Sequence, residues 1–100
     1  MIVIKGEVSV NPDHQDDALA ALDALIASTR AEAGCDAYVF ARDVGDPNLV
    51  HVFEQWADGE ALDAHMGAPH MAEFLSATAG ALEGASFTRY DVSDSRPLFG

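Results

Sequence analysis

A chain of 100 residues with 17 Asp and Glu against 5 Lys and Arg has a net charge of −12, and at this length it is expected to form one domain. It has no basic stripe to displace counterions from nucleic acid, and an anionic membrane surface would repel it, so neither partner is expected. No apolar run reaches the length of a membrane helix, and the single cysteine, Cys35, allows no internal disulfide. Both features are typical of a soluble cytoplasmic protein.

The hydrophobic pattern of the first half predicts a strand, a helix and a hairpin. Residues 1–10 alternate and predict a strand. Its apolar side carries Ile2, Ile4, Gly6, Val8 and Val10. The stretch NPD then suits a helix start, and helical spacing continues to about Ala33, before Gly34. Residues 35–43 and 49–56 alternate again, and the turn sequence DVGDPN between them predicts a hairpin.

The second half predicts two helices and a last strand. Asp58 is a suitable N-cap for a short helix over residues 59–66, which ends at a Gly-Ala-Pro break. Pro69 begins a second helix that is predicted to run to about Leu82. Its apolar stripe consists of Met71, Phe74, Leu75, Thr78 and Leu82. Residues 86–92 predict the final strand.

The order of these elements predicts an α+β, ferredoxin-like βαββαβ sandwich over residues 1–93, with a four-stranded antiparallel sheet and helices on one face. Both faces of the hairpin carry apolar side chains, such as Val52 on one and Phe53 on the other. A monomer would leave one of these apolar faces exposed to solvent. We therefore expect a homodimer of the dimeric α/β-barrel type, in which the two sheets pack face to face. The tail, residues 94–100, would then reach onto the partner subunit.

One cluster of residues is a candidate reactive site. Glu54 and Trp56 are two apart on one strand and point the same way. His65 borders the apolar face of the short helix, and His70 lies one turn before Phe74 on the next helix. All of them can approach the gap between sheet and helices, where we expect a water-poor chamber large enough for one aromatic molecule.

The segment GCDAYVFARDVGDPNLVHVFEQWADGEALDAHMGAPHMAEF, residues 34–74, resembles the antibiotic biosynthesis monooxygenase family. The matching marks are Gly34-Cys35, Tyr38, Asp46-Pro47, Glu54-x-Trp56, Ala61-Leu62, His65, Pro69-His70 and Phe74. The resemblance implies small dimeric ferredoxin-like proteins, many of which act on quinols or polyketide phenols. It also implies that some members use no metal and no organic cofactor, because the bound phenol or quinol loses a proton and gives electrons directly to dioxygen.

The resemblance implies a role for each candidate residue. His65 or His70 would be the base, since imidazole titrates near neutral pH, and Glu54 would orient a histidine. The remaining candidates would bind the substrate. Trp56 and Phe74 would contact its aromatic ring, with Tyr38 beside them. Arg89 would stabilise an oxyanion if it faces inward, and Gly6 would leave room because it has no side chain.

Metal and haem sites are not expected. Glu54, His65 and His70 have the ligand types that zinc and iron bind, but the two histidines are five residues apart across the Gly-Ala-Pro break, unlike two ligands on one helix face. Haem-degrading members of the family resemble this fold but carry asparagine, tryptophan and histidine at key positions. The corresponding residues here are Gly6, His65 and Leu75.

Two other functions fit the same sequence. One is a non-catalytic dimer that binds a hydrophobic small molecule or serves as an accessory protein. The other is a cofactor-free isomerase or cyclase that transfers protons in the same chamber. Fold alone does not choose among them, because one fold supports many functions.

Overall fold

The computed structural model describes all 100 residues and has the predicted order of elements. They are β1 (Ile2–Val10), a 3-10 turn (Pro12–His14), α1 (Gln15–Arg30), β2 (Cys35–Arg42), β3 (Leu49–Trp56), α2 (Gly59–Met66), α3 (Pro69–Ala77) and β4 (Leu82–Asp91). None of the helices has the length and hydrophobicity required to span a lipid bilayer.

The four strands form one antiparallel sheet in the order β2-β3-β1-β4. Ile4 lies opposite Glu54 of β3 and Arg89 of β4, so these three side chains share the face that the helices cover. The predicted ferredoxin-like α+β fold is therefore confirmed.

The alternation in β1 positions the core. The even-numbered residues of β1, other than Gly6, contribute Ile2, Ile4, Val8 and Val10 to the buried core. The first core cluster comprises Ile2, Ile4, Leu25, Tyr38, Trp56 and Leu62, and the second comprises Val8, Val10, Ala18, Val50, Val52 and Ala81. The first cluster packs between the sheet and the helices, directly beside the candidate residues.

The helix boundaries follow from local polar contacts. Asn11 accepts a hydrogen bond from the backbone of Asp13, but this cap begins the 3-10 turn, and α1 itself starts at Gln15. Gly34 has a left-handed φ of 80°, as predicted for a residue that redirects the chain after the helix. The side chain of Asp58 accepts from the backbone N–H of Ala61 at 2.9 Å, which confirms the predicted cap of α2.

The boundary between α3 and β4 was predicted incorrectly. α3 ends at Ala77, and Leu82 is the first residue of β4, where it pairs with Val10. The reason is Gly80, whose φ of 81° turns the chain out of the helical path. The helical spacing of Leu82 from Thr78 is therefore a coincidence of sequence, and the last strand begins four residues before the predicted Ser86.

The side of the sheet opposite the helices, here called the open face, is partly apolar. Its apolar residues include Val3, Val39, Leu49, Phe53 and Tyr90. Val39 and Phe53 lie opposite one another on neighbouring strands, and each is 42% exposed. The tail has no regular structure, and Leu98 and Phe99 in it are exposed. These features match the surface expected for sheet-on-sheet packing, which stays a prediction for the single chain.

Gly6 does not leave room for a ligand, contrary to the prediction. Phe87 lies directly opposite it on β4, and a Cβ built on Gly6 would lie 2.3 Å from the Phe87 ring and 2.8 Å from the carbonyl oxygen of Ser86. The aromatic ring therefore covers the glycine, an arrangement that compensates for the missing side chain in a strand.

We expect Gly6→Ala to destabilise the fold by about 1–3 kcal/mol, the usual cost of overpacking, because the Ser86 carbonyl belongs to the backbone and cannot rotate away. Gly84→Ala is the matched control on the neighbouring strand, since nothing lies within 4 Å of its added Cβ. Urea unfolding of both variants measures the difference. Equal stability of the two variants would contradict this account of the close approach.

Candidate functional site

The two candidate histidines lie on either side of the break between α2 and α3. His65 is in the last turn of α2 and His70 in the first turn of α3. The break turns the chain so that the ring centroids are 6.1 Å apart. His65 is only 1% exposed, whereas the His70 side chain is 20% exposed. One imidazole is therefore buried, and the other reaches solvent.

A carboxylate that the sequence analysis missed joins them. Glu32 lies in the short segment after α1, and its Oε2 accepts from Nδ1–H of His65 at 2.7 Å and from Nε2–H of His70 at 2.8 Å. An ionised carboxylate can only accept, so both of these ring nitrogens carry a proton. In neutral rings the opposite nitrogens, Nε2 of His65 and Nδ1 of His70, are then free acceptors.

Glu54 does not orient a histidine, contrary to its predicted role. Its Oε1 accepts a 3.0 Å hydrogen bond from the indole Nε1–H of Trp56, two residues along the same strand. Burial raises the pKa of the Glu54 carboxyl, and the hydrogen bond from Trp56 and the nearby His65 only partly oppose this effect. The carboxylate that contacts both imidazoles is Glu32.

The predicted chamber beside Trp56 is filled by closely packed aromatic rings. Trp56 is fully buried, and its ring centroid lies 4.7 Å from that of His65. The Tyr38 ring contacts His65 edge-on at 5.3 Å and Phe40 at 5.2 Å. Burial, followed by the charge of Glu54, raises the pKa of the Tyr38 phenol well above its usual range, so this hydroxyl stays protonated. These aromatic residues pack on the core side of Glu32, His65 and His70, which are called the Glu32 cluster below.

Neither Trp56 nor either candidate histidine lines any of the three main surface clefts, which are shallow and open. The most apolar cleft on the helix-covered side has a volume of about 150 Å³ and lies between α1 and the β2–β3 hairpin. It is lined by Leu19, Leu22, Asp23, Ile26, Phe40, Ala41, Arg42 and Val50. Phe40 links this cleft to Tyr38 and so to the packed aromatic rings.

The remaining candidate residues lie at different distances from the cluster. Phe74 packs against the first core cluster one turn after His70 and is partly buried. Arg89 is on the helix-covered side, but about half of its side chain is exposed and it forms an ion pair with Asp91 at 3.1 Å. It makes no hydrogen bond to either histidine. The structure therefore groups His65 and His70 with Trp56, Tyr38 and Phe74, and leaves Arg89 and Gly6 outside.

Cys35 lies near the same carboxylates. Burial, followed by the charges of Glu32 and Glu54, raises the pKa of the thiol. The sequence analysis left this cysteine without a site role, and its environment favours the unreactive thiol form.

The arrangement can transfer protons. Glu32 fixes the orientation of two imidazoles, and each imidazole can accept or release a proton at a ring nitrogen. The ligand atoms of Glu32, His65 and His70 also lie within 4.8 Å of one another. Their spacing of five residues does not prevent paired ligation, because the two histidines approach from two different helices.

The raised pKa of Glu54 has a consequence for stability. The folded state holds this proton more tightly than the unfolded chain does, so the contribution of Glu54 to stability decreases as the pH rises above the ordinary carboxyl pKa. Glu54→Gln keeps an acceptor for the Trp56 indole and removes the buried charge. We expect its melting temperature to exceed that of the wild type at pH 7, and the gain to vanish below about pH 4.

Thermal unfolding from about pH 3 to pH 8 tests this expectation. Glu73→Gln, at an exposed position of α3, is the control and should show no such pH-dependent gain. A deficit of the Glu54 variant that grows as the pH rises would show that the charged form is favoured in the fold.

Comparisons with known proteins agree with the fold and the resemblance. The chain is 31% identical over 98 residues to an uncharacterized protein of Synechocystis, covering 97% of this chain and 67% of the relative. It is 42% identical over 59 residues to "Putative monooxygenase Rv0793" of Mycobacterium tuberculosis, covering 59% of this chain and 57% of the relative.

Solved structures show the same architecture. The structure of Rv0793 matches with a TM-score of 0.86 and 27% identity, over 96% of this chain and 98% of that chain. A "putative antibiotic biosynthesis monooxygenase" from Deinococcus radiodurans matches with a TM-score of 0.91 over the full length of both chains, but at 22% identity it supports the fold alone. The family model for antibiotic biosynthesis monooxygenase matches residues 1–77. The chain belongs to the antibiotic biosynthesis monooxygenase family.

Proposed function

We propose that the protein is a monooxygenase that oxidises a small aromatic quinol or phenol with dioxygen and requires no metal or organic cofactor. The family and the names of two relatives support monooxygenase chemistry. The observation that carries the proposal is the His70 imidazole, which Glu32 orients through Nε2 while the ring remains partly open to solvent.

His70 is the proposed base. Its Nε2–H is donated to Glu32 at 2.8 Å, which leaves Nδ1 unprotonated and able to accept a phenolic proton. As the imidazolium forms, the carboxylate stabilises the new charge. His65 forms the second hydrogen bond to Glu32 and is buried against Trp56, so its role is to position the carboxylate.

The aromatic substrate binds beside His70 rather than inside the filled core. Phe74, one turn further along α3, offers a half-buried ring next to the base. Trp56 and Tyr38 are buried on the core side of the cluster and make that side of it apolar. A low local dielectric strengthens the interaction of the carboxylate with the imidazolium.

The chemistry needs no external reductant. Loss of the phenolic proton gives an electron-rich anion, which transfers electrons to dioxygen and forms a carbon–oxygen bond. One oxygen atom enters the ring, the other leaves as water, and the substrate itself is oxidised to the quinone level. For a hydroquinone, the balance is one quinol and one dioxygen giving one hydroxyquinone and one water.

We expect His70→Gln to lower the rate of oxygen uptake with a hydroquinone or anthrone by roughly 10²–10⁴-fold, the usual contribution of a general base. Gln retains a donor to Glu32 but provides no base. An oxygen electrode measures the rate, and mass spectrometry after reaction under ¹⁸O₂ shows whether one labelled atom enters the product.

His14→Gln is the control, since His14 is exposed and lies far along the chain in the 3-10 turn. Equal rates for the wild type and the His70 variant would remove this imidazole from the mechanism. Saturable binding of the aromatic compound without oxygen uptake would favour the non-catalytic binding protein instead. Product formation under nitrogen would favour the isomerase or cyclase.

We also propose that the protein is a homodimer that packs sheet on sheet through the open face. Phe53 lies on β3, an inner strand, opposite Val39 of β2 and Lys5 of β1. This pair of exposed apolar side chains is at the middle of the face, where burial of apolar area contributes most to association. The exposed Leu98 and Phe99 of the tail provide further apolar area for the partner.

We expect Phe53→Glu to weaken the dimer by about 2 kcal/mol or more, as loss of a central aromatic residue does in protein interfaces. Light scattering after gel filtration measures the mass as a function of concentration. Val44→Glu changes a fully exposed loop residue and should leave the mass unchanged. A dimer that tolerates Glu at residue 53 must use a different surface.

A further inference from the structure

We propose that Glu32, His65 and His70 form a binding site for Zn²⁺ or a similar divalent transition-metal ion, with three protein ligands and an open fourth position. The proposal goes beyond the monooxygenase function and is tested without any substrate. It rests on the placement of one carboxylate oxygen and two imidazole nitrogens at a single point between three segments of the chain.

The three ligand atoms already lie close together, and zinc binding requires both the carboxylate and the imidazoles to move. Oε2 of Glu32 lies 2.7 Å from Nδ1 of His65 and 2.8 Å from Nε2 of His70, and the three ligand atoms are within 4.8 Å of one another. Zinc binds nitrogen and oxygen at 2.0–2.2 Å, so tetrahedral ligand atoms are about 3.3 Å apart. To admit the ion, the carboxylate oxygen must move about half an ångström further from each nitrogen, and the two imidazole nitrogens, the most widely separated pair of the three atoms, must approach one another to about 3.3 Å. The side chains of Glu32 and His70 are not fully buried, which leaves them this freedom.

The donor set favours a transition-metal ion over calcium or magnesium. Two imidazoles and one carboxylate match the ligands of zinc sites with an open position. Calcium and magnesium prefer all-oxygen coordination and would leave both imidazoles unused. Among first-row ions, zinc and copper bind such sites more tightly than manganese or iron do.

The charge of the site also favours a cation. Glu32 forms no ion pair with any Lys or Arg, and its only partners are the two imidazoles. A second carboxylate, Glu54, is close enough for the charges of Glu32 and His65 to act on it. The net charge of −12 adds a long-range attraction for a divalent ion.

Binding changes the tautomers of both histidines. The ion takes Nδ1 of His65 and Nε2 of His70, which donate to Glu32 in its absence, so each neutral ring moves its proton to the other nitrogen. Nδ1 of His70 then carries a hydrogen and cannot accept one. If the proposed base function is correct, on which this consequence alone rests, Zn²⁺ inhibits oxygen uptake.

The test is calorimetric titration of Zn²⁺ into the full chain after treatment with a chelator. We expect one ion per chain for the wild type. His70→Gln and Glu32→Gln should each weaken the affinity by more than about tenfold, the lower end of what loss of even an outer-shell partner costs. Circular dichroism of each variant confirms that it is folded. If one of the two variants does not fold, the other still tests the proposal, because the two residues lie on different segments.

His14→Gln is the matched control, because His14 is exposed among Asp13, Asp16 and Asp17 and would account for adventitious surface binding. The proposal is overturned if no stoichiometric binding occurs, or if the His14 variant loses the affinity and the His70 and Glu32 variants keep it. Zinc binding by a wild-type protein whose metal-free form shows no oxygen uptake would contradict only the monooxygenase function. Oxygen uptake without zinc binding would contradict only the metal site.

Discussion

The shared carboxylate of Glu32 is the contact on which the arrangement of the helical layer depends. It joins the segment after α1 to the end of α2 and the start of α3 by hydrogen bonds of 2.7 and 2.8 Å. The latter two helices have 8 and 9 residues, too few to be stable alone. Hydrogen bonds to a charged group contribute about 1.5–3 kcal/mol each. The positions of both imidazoles are therefore set by one side chain that lies in neither helix.

Two neighbouring carboxylates are stabilised in different ways, and this difference separates their roles. Glu32 accepts from two imidazoles that can take up a proton, whereas Glu54 accepts from the indole of Trp56, which is a donor only. A proton that arrives at the Glu32 cluster can therefore be shared among three groups. A change at Glu54 affects the core through Trp56 and affects the cluster only through its charge.

Most of the fold follows from local sequence patterns. The strict alternation of β1, the hairpin and the Asp58 cap are encoded within a few residues, and the structure has each of them. The end of α3 is different, because Leu82 fits the helical stripe and only the left-handed Gly80 removes it from the helix. The contacts of Glu32 could not be predicted from local sequence patterns, because its two histidine partners are 33 and 38 residues away and Glu32 lies outside the regular helices and strands. The only feature of the sequence that points to Glu32 is its position two residues before Gly34-Cys35, which belongs to the family resemblance.

Side-chain volume is the quantity that periodicity does not encode, and it decides where chemistry can occur in this protein. The pattern correctly places Trp56, Tyr38 and His65 on facing elements, but whether facing rings enclose space or fill it depends on their rotamers. Here the Trp56 and Tyr38 rings pack against His65 at centroid distances of 4.7 and 5.3 Å and fill it. The nitrogen that we propose as the base is consequently the one at the solvent-exposed edge of the cluster, on His70. The proposed metal ion and the proposed aromatic substrate would both approach through that edge, so the two proposals are linked: an ion on Nε2 of His70 would move the proton to Nδ1, the nitrogen that is proposed to act as the base.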